Sequence, residues 1–219
     1  KKKFLEGIQP NEKKLYVIPN SLNLKEEKTK KKQVLFVGRL VKEKGVELYV
    51  NAVKNLALVH KNWEFIMIGN TMFNKQRSNK NFINDLIAEF KNIGNNVYFY
   101  ENIPNSKVMD FMSEASILVV PSLWEEPFGL TALEGISNKM VVIASKTGGL
   151  KEVVKNRGIL IDDINEIKIT NTINKLIYEP QYLNQIKKQV WKDYYFEQEK
   201  ISKLQDDIRK KIYSKYKFN

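Results

Sequence analysis

Ile117-Leu118-Val119-Val120-Pro121-Ser122-Leu123-Trp124-Glu125-Glu126-Pro127-Phe128-Gly129-Leu130-Thr131-Ala132-Leu133-Glu134-Gly135 is the stretch on which the reading of this chain turns. Its first four residues are apolar without alternation, the pattern of a parallel strand buried on both faces. Pro127 and Gly129 punctuate a loop. Leu133, Ile136 and Met140 then recur at helical spacing, which predicts a helix over residues 130–138. A strand end, a loop and a helix start therefore meet here. In an open α/β sheet, ligands sit outside the carboxyl ends of the strands, and a helix start offers unpaired N–H groups and a positive dipole end. Two carboxylates flank that point. Glu126 lies in the loop, and the Cα of Glu134 lies roughly 6 Å along the helix axis from Leu130 at about 1.5 Å per residue. Both can accept hydrogen bonds from hydroxyls.

Upstream, Val34-Leu35-Phe36-Val37 is a second apolar strand that runs into Gly38-Arg39-Leu40, then Lys44-Gly45, then the helical pattern Val46, Val50, Val53, Leu56 and Ala57. Strand, glycine turn, two cations and a helix make a phosphate-binding arrangement. Gly38 lets a ligand approach the backbone, Arg39 can pair bidentately with phosphate, and Lys44 is a mobile point charge. The spacing is not that of the G-x-G-x-x-G dinucleotide fingerprint.

The same alternation continues on both sides. Residues 63–70 and 96–100 read as strands; residues 71–81 read as polar and irregular, and residues 82–93 as a helix. Ser106 is the expected cap of the helix that precedes Ile117. Residues 140–144 form another strand, Thr147-Gly148-Gly149-Leu150 a tight turn, and residues 157–161 a last short strand. Repeated β-α units predict a Rossmann-like parallel sheet with helices on both faces, followed by two amphipathic tail helices. Residues 25–32, rich in lysine, are expected to be a mobile surface loop, and Leu15 to Ile18 a short leading strand.

Composition limits the chemistry. With no cysteine, the chain has neither disulfides nor thiolate ligands. Its single histidine, His60, stands near a helix end and is expected to cap it or lie on the surface. Asp162-Asp163 lacks the further ligands of a metal site, so no metal and no other cofactor is expected. Lys and Arg number 37 against 25 Asp and Glu, a net charge of +12. No recognition helix or aromatic platform accompanies that charge, which argues against nucleic acid and leaves an anionic membrane surface as the more attractive partner. The absence of an apolar span and of a signal peptide suits a cytoplasmic piece, peripheral at the inner face of the membrane. The chain opens at Lys1 without a methionine, as expected of part of a longer protein.

Glu126-Pro127-Phe128-Gly129 with Glu134 eight residues after Glu126 resembles the E-x7-E element of retaining GT-B glycosyltransferases. The Gly38-Arg39 to Lys44-Gly45 segment is similar to the same family's G-R-x-x-x-x-K-G element. The resemblance covers roughly residues 15–180. It implies a nucleotide-sugar-binding C-terminal domain over residues 21–178, an interdomain linker over 1–20 and C-terminal helices over 179–219. The tail either packs toward a first domain or caps the sheet.

The resemblance also implies roles. Arg39 and Lys44 would stabilise the departing diphosphate; Glu126 would hold the donor sugar and Glu134 the ribose hydroxyls. Gly38, Phe128, Gly129, Leu130 and Thr131 would line the donor site, Gly148 and Gly149 would lie near the diphosphate, and Asn102 and Ile103 in a strand exit loop would face the nucleobase. The family's glycine is absent from that exit loop. Glu125, beside Glu126, is the alternative for the carboxylate facing the donor; the eight-residue spacing favours Glu126. The implied reaction is metal-independent transfer from a nucleoside-diphosphate sugar, in the first place a UDP-sugar, to a glycan or lipid-linked acceptor held by an N-terminal domain, as in lipopolysaccharide or capsule assembly. An inactive scaffold bound to membrane or partner, and a nucleotide-sugar epimerase, are the alternatives.

Overall fold

A computed structural model describes residues 16–70, 77–192 and 194–215. Two units are distinguished: Leu24–Tyr194, and Lys1–Asn23 together with Tyr195–Asn219. The larger holds a six-stranded sheet made of β1 (Lys31–Arg39), β2 (Glu64–Asn70), β3 (Val97–Glu101), β4 (Ala115–Val120), β5 (Val141–Ser145) and β6 (Gly158–Ile161). Their order is β3-β2-β1-β4-β5-β6. Every pairing is parallel, from Gln33 beside Glu64 to Ser145 beside Ile161. The connecting helices are α1 (Val46–Val59), α2 (Arg77–Lys91), α3 (Asn105–Glu114), α4 (Leu130–Ser137), α5 (Leu150–Val154), α6 (Glu166–Tyr178) and α7 (Pro180–Val190).

The unbroken apolar runs predicted strands buried on both faces. The central strands are such, with Val34, Leu35, Ile117, Leu118, Val142 and Ile143 all withdrawn from solvent. On one face, Phe36, Phe65 and Met67 form a core with Tyr49, Val53 and Leu56 of α1 and Ile169 and Ile173 of α6. Tyr49 is wholly buried, and its hydroxyl donates to the carbonyls of Val34 at 2.9 Å and Ile66 at 3.1 Å. Its phenol stays neutral, because burial raises its pKa well above the ordinary value.

Sequence order reverses between β1 and β4, which are neighbours although 75 residues lie between Arg39 and Ala115. In open α/β sheets, the carboxyl ends of the two strands at such a switch point are where the ligand crevice lies. Both motif-bearing loops leave the sheet there.

Several local expectations are corrected. Residues 77–81 belong to α2 rather than to an irregular segment; 71–76 lie outside the described residues. Helix α3 starts at Asn105 behind Pro104, with no side-chain cap, so Ser106 is inside the helix. Proline fixes a φ suited to the helix entrance, and its carbonyl accepts from the Lys107 and Val108 N–H groups at 2.9 and 3.2 Å. Residues 16–18 form no strand, and Leu15 lies outside the described residues. Residues 25–30 are tied down: Lys25 N–H donates to Ser137 O at 3.0 Å, and Lys30 Nζ reaches three carbonyls. His60 caps α1 through its N–H to Leu56 O at 2.8 Å, but its ring is buried, 2.6 Å from Asn174 Oδ1. The smaller unit contains α8 (Gln198–Lys215); Asn23 Oδ1 accepts from the Gln198 N–H at 2.9 Å, and Leu22 N–H donates to Phe196 O at 2.8 Å. Helix α7, expected with the tail, lies in the larger unit.

Candidate active site

Three loops meet at the switch point. From β1 comes Arg39, exposed at the strand end, then a short 3-10 turn over Lys42–Lys44 that points Lys44 inward. From β4 comes the Pro121 to Gly129 loop. The Leu123 and Trp124 N–H groups both donate to Glu43 O, at 2.8 and 3.2 Å, and join the first two loops by backbone. From β5 comes the Gly148-Gly149 turn, whose Gly149 N–H donates to Glu126 O at 2.7 Å.

Glu126 is the centre of this arrangement. It is 9% exposed. Its Oε1 accepts from Ser122 Oγ at 2.8 Å and also pairs with the Lys44 ammonium. Ser122 is fully buried and is held in turn: Ser145 Oγ donates to its carbonyl at 2.6 Å. A carboxylate this withdrawn requires such partners, since an unpaired buried charge is strongly destabilising. Glu125, the alternative, is exposed. The sequence did not single out Ser122 and Ser145 for this work. Their signal was faint, two small polar residues at the ends of adjacent apolar strands.

Helix α4 starts at Gly129, whose φ of 102° is in the region open chiefly to glycine. Leu133 N–H is bonded to Gly129 O at 3.1 Å, so the N–H groups of Leu130, Thr131 and Ala132 precede the first helical bond and carry the positive end of the dipole. One turn further, Glu134 is half-buried, and burial raises the pKa of its carboxyl above the ordinary value. Lys44, Glu126, Phe128, Gly129, Gly148 and Gly149 are thus on loops in contact, Leu130 and Thr131 open α4 beside them, and Gly38 and Arg39 are at the adjoining strand end.

Asn102 and Ile103 lie further along the same edge, at the exit of β3. Asn102 adopts a left-handed conformation at φ 51°. Its N–H donates to Gly69 O at 3.0 Å, and its Oδ1 accepts from Asn70 Nδ2 at 2.9 Å. Asparagine tolerates this backbone better than most residues, which explains how the exit loop turns without a glycine there. Among the described residues no group of three or more His, Cys, Asp or Glu could hold a metal ion.

A doubly wound parallel sheet with cations, a buried glutamate and a helix start at its switch point defines a Rossmann-like α/β domain. The solved C-terminal domain of a glycosyl transferase group 1 family protein (LpcC) from Francisella tularensis superposes with a TM-score of 0.64 at 23% identity, over 80% of this chain and 92% of that one. Anabaena HepE, solved with UDP-glucose, gives 0.67 at 20% identity over 84% of this chain and 49% of its own. The family model for glycosyl transferases group 1 matches residues 18–193, and the chain belongs to that family. Among its relatives, the Salmonella typhimurium lipopolysaccharide 1,2-N-acetylglucosaminetransferase is 26% identical over 164 residues, which are 73% of this chain and 42% of that enzyme. The Mycolicibacterium smegmatis alpha-maltose-1-phosphate synthase is 27% identical over 67% of this chain and 39% of its own length. The chain spans about two fifths of the length of these relatives.

Proposed function

We propose that this chain is the donor-binding domain of a retaining glycosyltransferase that takes a sugar from a nucleoside-diphosphate sugar, in the first place a UDP-sugar. The observation that carries this reading is the buried Glu126 carboxylate, held by Ser122 and Lys44 beside the start of α4. Such a group is positioned in advance to accept hydrogen bonds from sugar hydroxyls. A diphosphate entering the crevice would draw the Lys44 ammonium to itself, join it with the Arg39 guanidinium, and leave Glu126 free to face the sugar.

In the transfer, the bond between the anomeric carbon and the diphosphate oxygen breaks. A bond to an acceptor oxygen forms, and the acceptor's proton passes to an oxygen of the departing diphosphate. Negative charge grows on the departing diphosphate, where Arg39, Lys44 and the N–H groups of Leu130 and Thr131 would take it up without a metal ion. Glu134 would hold the ribose hydroxyls, and the Asn102-Ile103 loop would contact the base. The acceptor, a glycan or lipid-linked sugar, would be held by another part of the protein. The lipopolysaccharide transferase among the relatives supports a role in cell-surface glycan assembly.

Calorimetric titration with UDP, GDP and ADP in the absence of metal tests the reading. Saturable binding of one of them, weakened roughly tenfold or more by Arg39→Ala, is expected. A folded chain that binds none of the three would contradict it.

A further inference from the structure

We infer a second anion site at the opposite end of the sheet, for a phosphate monoester with an apolar substituent. A cavity of about 420 Å³ opens there, at the amino ends of β1 and β4, and its lining includes Lys30, Lys32, Ser116, Trp63, Leu183 and Lys187. No Asp or Glu is among the described residues that line it. Along β1 alone, eight steps of about 3.3 Å place this end roughly 26 Å from Arg39. The two sites therefore do not share residues.

The lysines differ in what they can give. Lys30 Nζ donates to the carbonyls of Asn138 at 2.6 Å, Ser113 at 2.7 Å and Met112 at 3.3 Å, so its hydrogens are used and it contributes charge alone. Lys187 Nζ meets Ser116 Oγ at 3.4 Å, a long contact that leaves its hydrogens available. Ser116 donates its own proton to Lys31 O at 2.6 Å and so presents a lone pair that orients the ammonium. Burial and mutual repulsion lower the pKa of Lys30 to about 8, and burial lowers that of Lys187. The nearest carboxylates are engaged elsewhere, Glu27 with Lys139 and Glu114 with Lys31.

Lys30 and Lys187 bring two half-buried cations to a cavity that no described carboxylate lines, with Glu27 acting on both from outside the lining, and an anion in the cavity would offset their remaining mutual repulsion. With Lys32 at the rim, three positive charges suit a dianion better than a monoanion. The walls supplied by Trp63 and Leu183 are apolar, which suits an alkyl or aryl substituent on the phosphate. That chemistry is offered equally by a soluble phosphate ester and by a phosphatidate headgroup.

The test uses the whole chain carrying Arg39→Ala and Lys44→Ala, so that the crevice at the other end cannot bind phosphate. Calorimetric titration with octyl phosphate should show saturable binding, tighter than that of inorganic phosphate. Adding Lys187→Gln should weaken it roughly tenfold or more, adding Ser116→Ala should weaken it less, and adding Lys210→Gln should leave it unchanged. Vesicles of phosphatidylcholine containing phosphatidic acid distinguish the sources. Cosedimentation lost in Lys187→Gln assigns the headgroup, and octyl phosphate binding without cosedimentation assigns a soluble ester. No saturable octyl phosphate binding by a chain with native circular dichroism, or equal affinity in Lys187→Gln, overturns the inference.

Discussion

The backbone N–H of Gly149 donates to the carbonyl oxygen of Glu126 at 2.7 Å, and a Cβ built on Gly148 would lie 2.3 Å from that same oxygen. The buried glutamate therefore owes its position to a turn that follows it by more than twenty residues. Main chain touches main chain here, and the glycines are required by that approach before any ligand is considered.

Gly148→Ala is expected to destabilise the chain by about 2–4 kcal/mol, since it adds both a clash and strain at φ 45°. Gly38→Ala is the contrasting case. Its Cβ would meet Phe36 at an ordinary 3.8 Å, so stability should hold within about 0.5 kcal/mol while nucleotide affinity falls. Urea unfolding together with nucleotide titration checks the pair; equal stability loss in both would contradict the assignment.

Ser122→Ala removes a fully buried hydroxyl that donates to Glu126 Oε1. About 1–2 kcal/mol of stability should go with it. If Ser122 positions Glu126, Ser122→Thr should restore nucleotide-sugar affinity more fully than Ser122→Val.

Lys44 and Glu126 form a pair whose side chains are 25% and 10% exposed, whereas Lys54 and Glu89 form one at 37% and 50%. A double-mutant cycle read by urea unfolding should give a coupling of about 1–3 kcal/mol for the first pair and under about 0.5 for the second. Similar values for both would show that burial is not what strengthens the pair at the crevice.

Glu134 carries a pH signature. Its folded pKa is raised above the unfolded value of 4.5 by burial, so the folded chain binds its proton more tightly than the unfolded one. Stability contributed by this group is then present below pH 4.5 and is lost as pH rises through the folded pKa. Glu134→Gln should abolish that loss and be relatively more stable at neutral pH. Unfolding midpoints of the two chains measured from pH 4 upward would test this, and parallel curves would refute it.

The middle of the sheet was legible because its central strands are buried on both faces, and continuous apolar runs such as Ile117 to Val120 mark that environment directly. The two motif loops were legible because strand, glycine, charge and helix follow one another closely in sequence. What escaped notice depends on contacts between distant segments. Lys30 reads as one of many solvated lysines, yet its ammonium donates to the carbonyls of Met112 and Ser113 at the end of α3 and of Asn138, which closes α4. His60 looked like a surface cap until α6 brought Asn174 and Tyr178 against its ring, the latter at 5.0 Å between centroids. Ser122 and Ser145 acquire meaning only once β4 and β5 are side by side.

The strand order carries one more consequence. All of β1 to β3 lies on one side of the β1–β4 boundary and all of β4 to β6 on the other, so the sheet is two consecutive halves of the chain joined along a single seam. The crevice sits at the top of that seam, with Arg39 and Lys44 from the first half and Glu126 and the start of α4 from the second. A ligand spanning them would act as a clasp, resisting separation of the halves as well as local opening of loops. Protection of the β1 and β4 amides from hydrogen exchange should then rise together when nucleotide binds, while the outer edges at β3 and β6 change less.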